Sequence, residues 1–129
     1  MKGLVSRDAV YLGHHPERGR GVYAARSFAV GQSVEWCPVI VLSPNDFERI
    51  HTSELHDYYF LWEKDRQTAI ALGYGSLYNH GEPANADYRM HFAERLLEVY
   101  ATAAIEAGAE ILIDYTDGAS RDNLWFTPK

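Results

Sequence analysis

Asn79, His80 and Asn85, three side chains that both donate and accept hydrogen bonds, fall within the short stretch Ser76-Leu77-Tyr78-Asn79-His80-Gly81-Glu82-Pro83-Ala84-Asn85. Gly81 and Pro83 break any regular helix or core strand there. The run just upstream, Ala69-Ile70-Ala71-Leu72-Gly73-Tyr74-Gly75, is apolar and punctuated by glycine. A buried run that delivers a polar turn is the layout of a binding loop, because rigid elements aim its polar groups at a ligand. In isolation the same residues also fit a turn that only satisfies its own backbone. A second candidate is Gly19-Arg20-Gly21-Val22-Tyr23-Ala24. Its Gly-x-Gly-x-x-Ala spacing matches a dinucleotide fingerprint, which needs a strand before it and a helix after it. Here the polar stretch His14-His15-Pro16-Glu17-Arg18 precedes it, and Arg26 to Gly31 is too short for a helix. That excludes a Rossmann unit. What remains is a backbone that a ligand can approach closely, or a Gly-rich hairpin turn.

Other chemistries lack their residues. The six histidines are scattered, and no His-Glu-x-x-His pairs His51 with His56, so no metal site is expected. There is no Gly-x-Ser-x-Gly nucleophile elbow. Cys37 lies in an apolar run and reads as a buried, inert thiol. Tyr58-Tyr59-Phe60-Leu61-Trp62 fits plain core as well as the wall of an aromatic channel.

The elements that must position these residues are short. Leu4 to Leu12 reads as two brief strands, His14 to Gly21 as a loop, and Val22 to Ala24 as a strand. Ser33 to Leu42 is rich in Val and Ile, and Pro38 inside it predicts an edge strand or a bulge. Ser43-Pro44-Asn45-Asp46 is a helix start, with Ser at the cap, and a short helix to about Thr52 follows. Tyr58 to Glu63 and Thr68 to Leu72 read as strands around Lys64-Asp65-Arg66, and Asp87 to Phe92 alternates. In Arg95 to Ile105, the alternation of Leu97, Val99 and Ala101 with Glu98, Tyr100 and Thr102 favours strand over helix. Glu110 to Tyr115 is a short apolar strand. Many short strands with one or two short helices predict a β-rich α+β domain.

The 129 residues suffice for one domain with its own core, and 47% hydrophobic with 23% charged residues is a globular composition. One cysteine permits no internal disulfide and no cysteine-based zinc site, which points to a reducing, intracellular compartment. No signal peptide or run of ~18 to 20 apolar residues is visible, so no membrane association is expected. A formal net charge of −6 argues against nucleic acid as the main partner and suits a Lys/Arg-rich peptide.

Taken in order, Gly19 to Ala24, Leu77-Tyr78-Asn79-His80 with Asn85, and Gly108-Ala109-Glu110-Ile111-Leu112-Ile113-Asp114-Tyr115 resemble the SET-domain family of S-adenosylmethionine-dependent protein-lysine methyltransferases. Ala24-Arg26-Ser27-Phe28 with Gly31, and Ala71 to Gly75, add to a likeness with small stand-alone viral and bacterial members. The resemblance covers about residues 5–115, with an aromatic tail over 116–129, and implies a single SET domain over 1–129. It implies several small sheets in a β-clip-like fold, with the C-terminal segment threaded under a loop as a pseudoknot. It implies that the Gly19, Arg20 and Gly21 backbone holds the methionine end of S-adenosylmethionine. Asn79 and the His80 backbone would bind its amino and adenine groups, and Trp125 would lie against the adenine. Tyr115 matches the catalytic tyrosine, and Tyr58 and Tyr74 match walls of the lysine channel. The implied substrate is a lysine of a basic protein, histone-like or ribosomal, and the implied assembly is a homodimer. The location implied is cytoplasmic, or the nucleus of a host. Gly81-Glu82-Pro83 departs from the family's usual Asn-His-Ser-Cys-x-Pro-Asn, and Leu124 stands where small relatives carry Tyr. The first departure motivates an alternative, a non-catalytic SET-like module that binds cofactor or a lysine peptide, and the second bears on how many methyl groups are added.

Overall fold

In the computed structural model, which describes residues 9–115, the chain is built almost wholly from strands. Strands β1 (Val10–His15) and β2 (Gly19–Ala24) form an antiparallel hairpin. The expected His14 to Gly21 loop shrinks to three residues. His15 Nδ1 accepts from the Glu17 and Arg18 amides at 3.0 and 3.2 Å, and Gly19 reverses the chain at φ 77°. Positive φ of that size is where glycine costs least. Leu4, at the start of the other expected strand, lies outside the described residues.

The remaining strands are β3 (Ser33–Leu42), β4 (Tyr59–Leu61), β5 (Thr68–Ala71), β6 (Asn79–His80), β7 (Ala86–His91), β8 (Leu96–Ala101) and β9 (Leu112–Ile113). They form one sheet in the order β4-β5-β3-β8-β7-β9-β6. Pro38 does not mark an edge, because β3 lies inside this sheet. It sits where β3 changes partner: residues up to Pro38 pair with β8, and Val39 onward pairs with β5. A residue with no N–H is tolerated at such a switch, where the ladder is already interrupted. The predicted helix is present but split into a 3-10 turn, Pro44–Asp46, and α1, Phe47–His51. Ser43 makes no side-chain capping bond. Arg95 to Ile105 is strand only over Leu96–Ala101.

The core lies between the two sheets. Val22, Ala24, Phe28, Val34, Cys37, Leu97, Val99, Ile105, Ile111 and Ile113 are all buried. The odd-numbered positions of β8 that suggested a strand face this core, and Glu98 points to the other face. The hairpin is tied down by the segment before β9. Ala24 N donates to the Ala109 carbonyl at 2.9 Å, and Ile111 N donates to the Val22 carbonyl at 2.8 Å.

The topology around β9 positions the candidate site. β9 runs parallel to both of its neighbours, with Ile113 opposite His80 on one side and Ala86 on the other. The connection 81–85 joins those neighbours, so it must cross the chain at Ile113. Gly81 N donates to the Ile113 carbonyl at 3.3 Å and Asn85 N to the Leu112 carbonyl at 3.1 Å. Asp114 and Tyr115 follow directly after the crossing, which is the threaded arrangement that the resemblance implied. Periodicity could not have shown it, since threaded connections are rare.

Candidate active site

Two groups of polar residues form on either side of β9. The first is centred on Glu110, a buried carboxylate with a side chain 4% exposed. A buried charge needs partners, and Arg18 supplies one. Its Nε donates to Glu110 Oε1 at 2.8 Å, and Nη2 lies 2.6 Å from the same oxygen. Glu110 Oε2 accepts from Asn79 Nδ2 at 2.9 Å. Asn79 Nδ2 also donates to the Arg20 carbonyl at 2.9 Å. Gly21 lies against both: a Cβ there would run into the Glu110 carboxylate and stand 2.7 Å from Asn79 Nδ2. Asn85 holds the same strand from the other side. Its Nδ2 donates to the Glu110 carbonyl at 3.0 Å, and its Oδ1 accepts from Leu112 N at 2.8 Å.

The second group is centred on Tyr115. Its hydroxyl donates to the Tyr78 carbonyl at 3.0 Å. Its backbone N–H donates to His80 Nδ1 at 3.1 Å. His80 stacks on the Tyr115 ring at 6.4 Å, and Tyr88 tilts against it at 6.2 Å. Tyr88 in turn meets Phe60 edge-on at 5.1 Å. Burial, with smaller contributions from Tyr88 and Asp87, pushes the Tyr115 hydroxyl well above its ordinary pKa. It is therefore a neutral donor at any physiological pH. Tyr78 is also raised, chiefly by burial and then by Glu35, whose Oε1 accepts from its hydroxyl at 2.7 Å. Glu35 Oε2 accepts from Tyr74 N at 2.9 Å. One carboxylate on β3 thus pins both ends of the turn that leads into Asn79. His80, Glu82 and Asp114 bring one potential ligand atom each within 4.8 Å of one another. His80 has its Nδ1 lone pair engaged by Tyr115 N, so only Nε2 could bind an ion.

The structure brings Arg20, Gly21 and Asn79 together at Glu110, and His80 and Tyr115 together after the crossing. Gly19 starts β2, at the turn of the same hairpin. Tyr58 is half-buried at the end of the 3-10 turn Glu54–Asp57. Tyr74 is half-buried against the core and held by Glu35. Among the described residues, the rings of His80 and Tyr88 lie against Tyr115. Trp125 and Leu124 lie outside the described residues. Cys37 is fully buried, and burial raises its thiol far above the usual range, which matches an inert role. The residues that sequence reasoning missed are Arg18, Glu35, Tyr88 and the role of Glu110. Alternation in β7 could have flagged Tyr88. The carboxylates carry no such signal, because their partners are remote in sequence.

Comparison with known proteins agrees with this geometry. A sequence model of the SET domain matches residues 19–116. A Schizosaccharomyces pombe histone-lysine N-methyltransferase specific for H3 lysine-37 is 27% identical over 127 residues, covering 98% of this chain and 82% of the relative. A Plasmodium falciparum protein described as a candidate histone methyltransferase has a solved structure with TM-score 0.72 and 28% identity. That match covers 87% of this chain and 96% of the other. The Chaetomium thermophilum Polycomb Repressive Complex 2 bound to S-adenosylmethionine gives TM-score 0.72 at 20% identity, over 92% of this chain and 16% of that one. At that identity the likeness is one of fold. With the family's sequence model matched over most of the chain, and its fold and threaded C-terminal strand in place, this chain belongs to the SET-domain family.

Proposed function

We propose that the chain is a protein-lysine N-methyltransferase that uses S-adenosylmethionine and acts on a lysine of a basic protein, histone-like or ribosomal. Residues 1–129 serve as a single catalytic domain, with the tail 116–129 contributing Trp125. The observation that carries the reading is the meeting of Asn79, His80, Tyr78 and Tyr115 around one strand crossing. It sets a neutral tyrosine hydroxyl beside aromatic rings after the crossing, while Asn79, on the strand that pairs with β9, has an open acceptor. The S. pombe relative's description as a histone-lysine methyltransferase supports it.

The residues present fit the cofactor. Asn79 Oδ1 accepts no hydrogen bond among the described residues. Gly19, Arg20 and Gly21 would hold the methionine end, Asn79 the ammonium, the His80 backbone the adenine, and Trp125 the adenine face. When bound, S-adenosylmethionine supplies a methyl group activated by its sulfonium. The chain's own residues do the rest by placement. A lysine amine must be neutral to attack, and free lysine has a pKa of about 10.4. The aromatic side chains of Tyr88 and Phe60, with Tyr58 and Tyr74 as further walls, disfavour the ammonium by desolvation. The Tyr115 hydroxyl, fixed by the Tyr78 carbonyl, orients the amine. It acts neither as nucleophile nor as base. Holding the amine in attack geometry can itself lower the barrier by several kcal/mol, up to about 7 to 11. The formal net charge of −6 favours approach of a basic protein.

The test is transfer of a radiolabelled methyl group from S-adenosylmethionine to core histones and to ribosomal proteins, with the acceptor residue identified by mass spectrometry. Labelled lysine is expected. Binding of S-adenosylmethionine without labelling of any lysine would favour the non-catalytic module, which the departure at Gly81-Glu82-Pro83 motivates.

A further inference from the structure

We infer that Glu110 is a positioning residue for the cofactor's α-ammonium: its carboxylate sets the Asn79 amide so that Oδ1, and not Nδ2, is presented to that cation. The identity of the ligand rests on the methyltransferase reading above. The geometry rests on the hydrogen bonds alone. An asparagine amide has two N–H donors on one side and one acceptor oxygen on the other. Both donors of Asn79 are taken, by the Arg20 carbonyl and by Glu110 Oε2, each at 2.9 Å. Turning the amide over would set Oδ1 against a carbonyl and a carboxylate. Two hydrogen bonds would be lost, one of them charge-assisted, and two oxygen pairs would repel.

The carboxylate is what decides. A carbonyl alone would leave one donor unassigned. A neutral glutamine at 110 could turn its own amide and donate to Oδ1. Only an ionised carboxylate accepts and never donates. Arg18 pairs with it in its buried place, Nε and Nη2 both addressing Oε1 while Oε2 faces Asn79. The approach is possible because Gly21 has no side chain. The spacing is set by main-chain register, since Asn79 pairs with Leu112, two residues after Glu110. Asn85 then clamps the Glu110 carbonyl at 3.0 Å. The result is an acceptor whose direction is fixed by the hairpin carbonyl and by the carboxylate before β9.

Glu110→Gln in the full chain tests this. S-adenosylhomocysteine carries the α-ammonium, and 5′-methylthioadenosine carries the same adenosine and thioether without it. Calorimetry for the first and ligand-observed NMR for the second give the two affinities. The variant is expected to weaken S-adenosylhomocysteine by about tenfold or more, the scale of a hydrogen bond to a charged group. It is expected to leave 5′-methylthioadenosine unchanged. Equal weakening of both, or of neither, overturns the inference. If Glu110→Gln does not fold, Glu110→Asp, which keeps a carboxylate but withdraws it from Asn79 Nδ2, is measured with the same two ligands and the same reading of the outcome. Failure of the unaltered chain to bind S-adenosylhomocysteine would overturn the methyltransferase reading together with this one. Intact binding there without a selective loss in the variant overturns only the role of Glu110.

Discussion

Tyr115 has a hydroxyl whose only expected work is to donate and orient, because burial keeps it protonated. Tyr115→Phe keeps the ring that packs on His80 and Tyr88 and removes the bond to the Tyr78 carbonyl. Methyl transfer is expected to fall by about a hundredfold or more, the scale of losing the amine's attack geometry. Calorimetric affinity for S-adenosylmethionine should be retained, and unchanged turnover would remove Tyr115 from the mechanism. Gly21→Ala tests the opposite wall. Its Cβ meets the Glu110 carboxylate and the Asn79 amide, so the hairpin must shift or the amide must turn. A loss of cofactor affinity of about tenfold or more is expected, with about 1 to 3 kcal/mol lost from stability on urea denaturation. An alanine variant that binds as the parent does would show that the hairpin is free to move. At this scale, Tyr115 was singled out only by the family resemblance, whereas the glycines and the polar turn were legible because their types restrict what they can do. Glu110 was not, because a carboxylate in an apolar run says nothing of an arginine 92 residues away.

β9 is two residues long and owes its place to groups outside its own ladder. Asn85 supplies two of them, accepting from Leu112 N and donating to the Glu110 carbonyl. Asn85→Ala leaves both partners unpaired in a half-buried setting, at a cost of about 1 to 3 kcal/mol for each group that water cannot reach. Chemical denaturation should show a loss of about 2 kcal/mol or more, on the same scale. Amide exchange should rise at Leu112 and Ile113 ahead of β8. A loss confined to a few tenths would mean that the 81–85 crossing holds β9 without its asparagine. Asn85 was visible in the sequence as a hydrogen-bonding side chain; its target was not. The strands themselves were mostly legible, since alternation in β8 reports one buried face directly. Pro38 misled because the rule for proline describes an unbroken ladder, and β3 exchanges its ladder at that residue.

Across the whole molecule, the outer face of the large sheet carries a buried charge that only the register assembles. Glu98 pairs across the sheet with Trp36 on β3 and Arg89 on β7. It accepts from the Ser33 hydroxyl, from Arg89 Nε at 3.0 Å and lies 3.0 Å from His91 Nε2. Burial works to raise its pKa, but the hydrogen bonds from Ser33 and His91 and the charge of Arg89 outweigh it, and the carboxyl titrates below its ordinary value. The sign of the linkage follows. Over the interval between the two pKa values the unfolded chain binds more protons than the folded one, so stability rises with pH there. The contribution is complete above the unfolded value of about 4.3 and is lost as pH falls through the folded value. Glu98→Gln removes that charge. Urea denaturation of parent and variant should therefore differ most near neutral pH, and the gap should narrow progressively as pH falls below about 4.3. A gap that stays constant from neutral to acid pH would mean that the carboxylate is not what Ser33, Arg89 and His91 hold. No window of sequence contains this cluster. Its members lie on three strands, and long-range pairing alone sets them side by side, as it sets β9 between β6 and β7. The family resemblance supplied the threading of the C-terminal segment in advance but not this strand order, and hydrophobic period and turn chemistry reach only as far as each strand's own length.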